Sequence, residues 1–324
     1  MSEFVSITSG SLIENTNIDF DLYLRSYVNG VTRYILFCRV NENLSAQKQE
    51  EILGRDLRLF ISSKDVTRYI KYQEKNLNNI INDNSRDVVE KSKVVYQVAK
   101  IITGDLMNNP RSGYHIERAK AWVDSTINHI LNDENTFSSL FKVTSHDYHT
   151  YTHSVNVTVI GLLFAKHLSL NPYELNYLGT GMLLHDVGKV EIPPDVIDKP
   201  ERLTKKVFEI IKKHPEAGLR LLQDHKNIEN ESLKIVLQHH ENSDGTGYPR
   251  GIGESGIHFY GKISRIIDVY DALTSNRTYA NAKRPFAALR EMKENMNNCF
   301  DEKLLREFIC FLGPKDQRKK QRPG

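Results

Sequence analysis

With 324 residues the chain exceeds the usual size of one domain, so a larger unit with a smaller companion is expected. Its 44 Lys and Arg against 41 Asp and Glu leave a formal charge of +3, too even a balance for general nucleic-acid binding, so any preference for phosphate has to be local. No apolar run approaches the ~20 residues of a membrane span, no secretory signal opens the sequence, and Cys38, Cys299 and Cys310 are too scattered for a disulfide framework or thiolate zinc site, which together point to a reducing cytoplasm.

Residues 1–62 read as a small α/β module. Phe20, Leu22 and Leu24 alternate with Asp21, Tyr23 and Arg25, the period of a half-buried strand, and residues 34–40 read as a second strand. Asn29-Gly30 between them predicts a turn, as in a hairpin with a longer loop. Ser45 is placed to cap a short helix ended by Gly54, and a third strand is expected over 57–61. The module carries no recognisable chemistry.

From Ser63 the period lengthens, with Val66, Tyr69, Ile70, Gln73 and Leu77 on one helical face. A second helix follows Ser85, and after a break at 108–113 a third is expected over 116–131. Residues 63–140 thus form a helical connector, either simple packing or a signalling or dimerising helix pair. Residues 141–313 read as helix almost throughout, broken at Pro172, Pro193-Pro194, Pro200, Pro215 and the glycine-rich stretch 245–256, and the charged tail 314–324 is expected to be disordered. The fold class is mainly α.

The densest chemistry lies at His239-His240-Glu241-Asn242-Ser243-Asp244, two imidazoles and two carboxylates within six residues, running into Gly245-Thr246-Gly247-Tyr248-Pro249. His153, His185-Asp186 and His214 lie upstream, and Asp268 and Asp271 downstream. Hydrolysing a phosphodiester near neutral pH needs a nucleophile stronger than water and positive charge beside the phosphoryl oxygens. Two metals ~3.5–4 Å apart meet both needs through a metal-bridging hydroxide that attacks in line. Imidazole and carboxylate donors without thiolate suit iron first and manganese next, ahead of a structural zinc.

On a helix, His185 and Asp186 would point about 100° apart, so that the imidazole binds one ion while the carboxylate bridges two. Lys189, three residues on, falls near the same face, where its ammonium can reach the scissile phosphate. Asp271, one turn after Asp268, either orients a ligand histidine or holds helix contacts. Gly245 and Gly247 let the backbone approach a ligand, and Tyr248 offers a stacking face and a hydroxyl. Arg277 can hold phosphate bidentately, with Thr274 and Ser275 as neighbouring hydroxyl donors. His115, His129, His167, His225 and His258 read as ordinary histidines, and the lysines from 205 to 213 as a solvated face or a basic rim.

In this order and at these spacings the residues resemble the HD-GYP family, named for the pair seen here as His185-Asp186 and the tripeptide Gly247-Tyr248-Pro249. The similarity covers residues 141–313 and takes in Ile192-Pro193, Lys199-Pro200, Arg265-Ile266 and Arg277-Thr278-Tyr279. It implies an all-helical HD-type catalytic domain after the α/β module and connector, hydrolysing cyclic di-GMP to the linear dinucleotide or GMP. It further implies that His153, His185, Asp186 and Asp268 ligate one metal and that Asp186, His214, His239 and His240 ligate a second. Lys189 and Asp186 would serve catalysis, and Tyr248, Gly247 and Arg277 the substrate.

Family members with three metals carry Glu where this chain has His149, four residues before His153, so His149 is either a third-metal ligand or a hydrogen-bonding neighbour of a two-metal site. Thr278 and Ala280 depart from the family pattern, in which proline and a basic residue are usual, and a phosphate contact is lost with the latter. Besides cyclic di-GMP, the expected partners are a diguanylate cyclase or other signalling protein, or a second copy of the chain. The rival readings are a non-catalytic cyclic-dinucleotide sensor or cyclase-binding module, and mononucleotide dephosphorylation or di-iron oxygenation, both disfavoured by the Gly-Tyr-Pro element.

Overall fold

The computed structural model describes residues 3–54, 58–144, 150–193, 196, 204–276 and 281–313. It resolves two compact units, Met1–Ile102 with Asp124–Val143, and Thr103–Val123 with Thr144–Gly324. The connector residues 63–140 are divided between them.

In the first unit β1 (Phe4–Ile7), β2 (Leu22–Val28), β3 (Val31–Cys38) and β4 (Leu59–Ser62) form an antiparallel sheet in the order β1-β4-β2-β3. The alternation around Leu22 sends Phe20 and Leu22 into a core with Leu12, Ile18, Leu44, Leu59 and Ile61, joined by Ile52 of α1 (Ala46–Gly54). The β2–β3 hairpin is tighter than expected. Val28 pairs with Val31, and Asn29 and Gly30 both take positive φ, 52° and 79°, the primed turn whose twist matches the flanking strands. Strand β1 has no period to betray it, being four residues long with an inside-outside pattern broken by two exposed neighbours.

The helical face anticipated from Val66 is α2 (Val66–Lys75), whose Tyr69 and Tyr72 are buried against this core. Tyr69 shares a hydrogen bond with Ser11, and the Tyr72 hydroxyl accepts from the Ile13 amide at 2.9 Å. There follow α3 (Leu77–Asn82), α4 (Val88–Asn108), α5 (Gly113–Asn132) and α6 (Thr136–Val143).

The second unit is helical in all its regular elements among the described residues: α7 (Thr150–His167), α8 (Pro172–Leu184), a 3₁₀ turn (Val187–Glu191), α9 (Lys205–Ile211), α10 (His214–Leu222), α11 (Asn230–Gln238), α12 (Phe259–Thr274), α13 (Pro285–Asn295) and α14 (Glu302–Leu312). Pro172 and Pro215 start helices rather than interrupt them. Asn171 caps α8 in a reciprocal capping box with Glu174, and Pro172 occupies the first turn, where its missing N–H costs nothing. Helices α7 and α8 are apolar on nearly every face because α8 lies between α7 and α11, while α12 packs on α7 and α11. The molecule is mainly helical with a small amino-terminal antiparallel sheet, as the sequence predicts. Among the described residues no helix is long and apolar enough to cross a membrane. His149, Arg277 and the tail 314–324 lie outside the described residues.

Candidate metal centre

Helix α8 stops at Leu184, so His185 is its C-cap and Asp186 opens the 3₁₀ turn. The pair does not lie on one continuous α-helix, contrary to expectation. The change of helix type sets the local geometry: with three residues per turn, i and i+3 eclipse, and the Lys189 ammonium sits 2.5 Å from Asp186 Oδ2. Gly188 is what lets this turn reach its neighbour. A Cβ there would stand 2.0 Å from the His214 carbonyl oxygen and 2.4 Å from the Gly218 nitrogen, both backbone atoms of α10. That contact carries Asp186 to His214, the first residue of α10. His239 caps the end of α11 with His240 beside it, His153 projects from α7, and Asp268 from α12.

Seven side chains converge in two groups, Asp186 with His214, His239 and His240, and His153 with His185 and Asp268, the donor atoms of each lying within 4.8 Å of one another. Asp186 joins them. Its Oδ2 faces the first-named pair of imidazoles of the second group, 3.4 Å from His185 Nε2 and 3.8 Å from His153 Nε2. Its Oδ1 faces the other group, 3.2 Å from His214 Nε2 and 3.8 Å from His239 Nε2, and is buried without a hydrogen bond. Asp268 reaches both ways, Oδ1 lying 3.0 Å from His153 Nε2 and Oδ2 3.5 Å from His240 Nδ1.

The imidazoles declare their tautomers. His185 Nδ1 donates to the Met182 carbonyl at 2.6 Å, His214 Nδ1 to Ile211 at 2.8 Å, His239 Nδ1 to Val236 at 3.0 Å, and His153 Nδ1 to Asp271 Oδ2 at 2.7 Å. With Nδ1 committed to these acceptors, each ring turns Nε2, the nitrogen left to bind a metal, inward. Two such pairs then face each other, His185 against His153 at 3.3 Å and His214 against His239 at 3.1 Å. Lone pairs that close repel unless a cation lies among them, and an orphaned carboxylate oxygen in the same volume has the same need. The donor set therefore fits a binuclear metal site.

Charge states agree. Burial, with the neighbouring histidines second, holds His239 and His240 well below the usual imidazole range, so they are neutral and able to ligate. Burial by itself would raise Asp186 and Asp268. Lys189 beside Asp186, and His153 facing Asp268, outweigh it and hold both carboxyls well below the usual carboxylate range.

Behind the ligands lies a supporting layer that spacing only half discloses. Asp271, one turn from Asp268, takes the His153 proton side and is held by Asn156 Nδ2 at 3.1 Å, so it orients the His153 ring. Arg265, seen in the sequence only as part of a family motif, donates from Nε to Asn242 Oδ1 at 3.0 Å and lies 3.8 Å from Asp268 Oδ2. Glu241 is 1% exposed and ties down the following loop, accepting from the Arg250 amide at 2.7 Å and the Ile252 amide at 3.1 Å.

The loop brings Tyr248 over the site, its ring stacked on His240 with centroids 4.6 Å apart and edge-on to Phe208 at 6.0 Å. Burial and the nearby Asp268 raise its phenol further above its ordinary value, so it keeps its proton. Gly247 has an intramolecular reason to lack a side chain: a Cβ would fall 2.3 Å from the Asn242 nitrogen and 2.5 Å from the His240 carbonyl oxygen. Thr274 and Ser275 are buried at the end of α12, and Thr274 Oγ1 donates to the Tyr270 carbonyl at 2.9 Å.

Comparison with known proteins places this geometry. The model of the HD domain family matches residues 130–304. A cyclic di-GMP phosphodiesterase of Pseudomonas aeruginosa is 34% identical over 217 residues, 66% of this chain and 52% of that protein. The 3'3'-cGAMP-specific phosphodiesterase 3 of Vibrio cholerae is 29% identical over 203 residues, 62% of this chain and 41% of that protein. A solved HDG"Y"P protein from Bdellovibrio bacteriovorus has the same fold, with a TM-score of 0.66 at 20% identity over 95% of this chain and 99% of that one. The chain spans about half the length of the Pseudomonas relative. With the His-Asp pair, the Gly-Tyr-Pro loop and the family match all falling on one buried donor cluster, the chain belongs to the HD domain family, in its HD-GYP branch.

Proposed function

We propose that this chain is a metal-dependent phosphodiesterase that opens cyclic di-GMP to the linear dinucleotide or GMP. One observation supports this above the others: the two oxygens of Asp186 face two separate histidine groups whose inward Nε2 atoms point at one another. When bound, a pair of divalent cations, iron first and manganese next, supplies the charge that polarises phosphoryl oxygens and the acidity that makes water a nucleophile near neutral pH. His153, His185 and Asp268 would hold one ion and His214, His239 and His240 the other, with Asp186 between.

The chain's own groups account for the remaining work. Lys189 places an ammonium beside the bridging carboxylate, where it can donate to a phosphoryl oxygen or to the departing 3′-oxygen. Tyr248, kept as a phenol, can donate a hydrogen bond into the same volume. Arg277 and Gly247 belong to the substrate side of this proposal, Arg277 as a phosphate clamp. His149 is a ligand only if a third ion is held. The unpaired cysteines fit action in the cytoplasm.

The full donor set weighs against a sensor without turnover. A mixed cyclic dinucleotide is the second substrate to test, because one relative is specific for 3'3'-cGAMP. Protein loaded anaerobically with ferrous or manganous ion is expected to cleave cyclic di-GMP, with chelator abolishing turnover and Lys189→Met lowering it on the order of 10²-fold. Loaded protein that leaves both cyclic dinucleotides intact would overturn the proposal.

A further inference from the structure

The first unit contains a cavity of about 390 Å³ at the meeting of α3, α4 and α5, well apart in sequence from the metal ligands. Its buried floor includes Lys91, in the first turn of α4, and His129, in the last turn of α5, which are 8% and 2% exposed. Its rim carries the amides of Asn82, Asn84 and Asn132 and the carboxylate of Asp133. The volume falls at the lower end of the range typical of small-molecule sites.

Lys91 is the anomaly. Among the described residues no carboxylate lies within 4.0 Å of its ammonium and no hydrogen bond engages it, although the residue is only 8% exposed and its head group lines the cavity. A buried cation ordinarily has a partner, because desolvation without a counter-charge is costly. His129 does not supply one: its Nε2 lies 3.0 Å from Ser92 Oγ, and burial, with Lys91 second, holds the ring down to about 4, neutral at physiological pH. Asp133 uses Oδ1 to accept the Asn135 amide at 2.7 Å, which leaves its other oxygen to the rim. The cavity therefore offers one positive charge at its floor, one negative charge at its edge, and amides that both donate and accept.

We infer that this cavity binds a small zwitterionic metabolite of the α-amino-acid class, its carboxylate received by Lys91 and its ammonium by Asp133. A dianion would meet only one cation and be repelled by the rim carboxylate. A bare cation would leave Lys91 unpaired. The inference stands on the first unit alone and does not depend on the phosphodiesterase reading.

The test uses the full chain, with calorimetric titration and thermal unfolding against the standard α-amino acids, acetate, methylamine and inorganic phosphate. At least one amino acid is expected to bind saturably and raise the unfolding midpoint. Lys91→Met should weaken that binding by roughly tenfold or more, the scale of one charge-assisted hydrogen bond, and so should Asp133→Asn, which keeps the Asn135 contact. Without ligand, Lys91→Met should leave the midpoint unchanged or raise it, since it breaks no ion pair or hydrogen bond of the ammonium. The inference fails if no amino acid binds, if acetate or phosphate binds as well as any amino acid and is indifferent to Asp133→Asn, or if Lys91→Met lowers the ligand-free midpoint as the loss of an internal ion pair would.

Discussion

One aspartate can serve two cations only when its oxygens diverge toward different donors, and Asp186 does so from full burial, with Oδ1 on the His214 side and Oδ2 on the His185 side. Asp186→Asn preserves the volume but replaces one oxygen with an N–H donor, which cannot ligate. Metal content measured on ferrous-loaded protein should fall from two equivalents to one or fewer, and turnover on the order of 10³-fold; two retained equivalents would contradict the bridging role. Asp271 acts one bond further out, through His153. Asp271→Asn weakens the hold on the His153 proton and should reduce metal affinity by about 10–100-fold in a competitive chelator titration, with the helical circular dichroism unchanged. The donors themselves are legible in the sequence because seven ligand-grade side chains at family spacings have no structural alternative of comparable economy. The Asp271 role is not, since helix periodicity places it near Asp268 while its actual partners, His153 and Asn156, lie 118 and 115 residues away on α7. The Glu241 role is hidden likewise: it follows two candidate metal donors, but its oxygens meet two amides that only the folded loop brings near.

Helix boundaries decide whether those donors meet. Proline positions alone predict breaks, yet Pro172 and Pro215 both begin helices, and the element that matters most, the 3₁₀ turn after α8, has no periodic signature of its own. Its sequence signal is Gly188, whose necessity appears only when α10 is set against it. Gly188→Ala would drive a methyl group into the His214 carbonyl and the Gly218 backbone, neither of which can rotate aside as a side chain could. A loss of about 3 kcal/mol in denaturant unfolding is expected, together with weaker metal binding, because the displaced turn carries Asp186 away from His214. An alanine variant with unchanged stability and metal content would show that the turn does not set the site. The hairpin in the first unit shows the same limit at smaller scale: Asn29-Gly30 marks the turn, but only the register Val28 to Val31 fixes its length.

Across the whole chain, acid should reveal a response in the first unit that requires no metal. His129 titrates near 4 in the folded protein, lowered by burial first and by Lys91 second, whereas an unfolded histidine titrates near 6.5. Between those values the unfolded chain binds a proton that the folded chain refuses, so stability is complete above the unfolded value and declines as the pH falls toward 4, where the difference saturates. From pH 7.5 to pH 5 this single group removes about 2 kcal/mol. Carboxylates with lowered values, such as Asp83 near 2, contribute mainly below that window. His129→Gln cannot take up the proton in either state and can still bond to Ser92. Chemical unfolding of metal-free protein should therefore show a smaller loss between pH 7.5 and pH 5 in the variant than in the parent, by about that amount. Parallel losses in the two proteins would mean that His129 is solvated in the folded state, and the buried floor of the first-unit cavity would have to be redrawn.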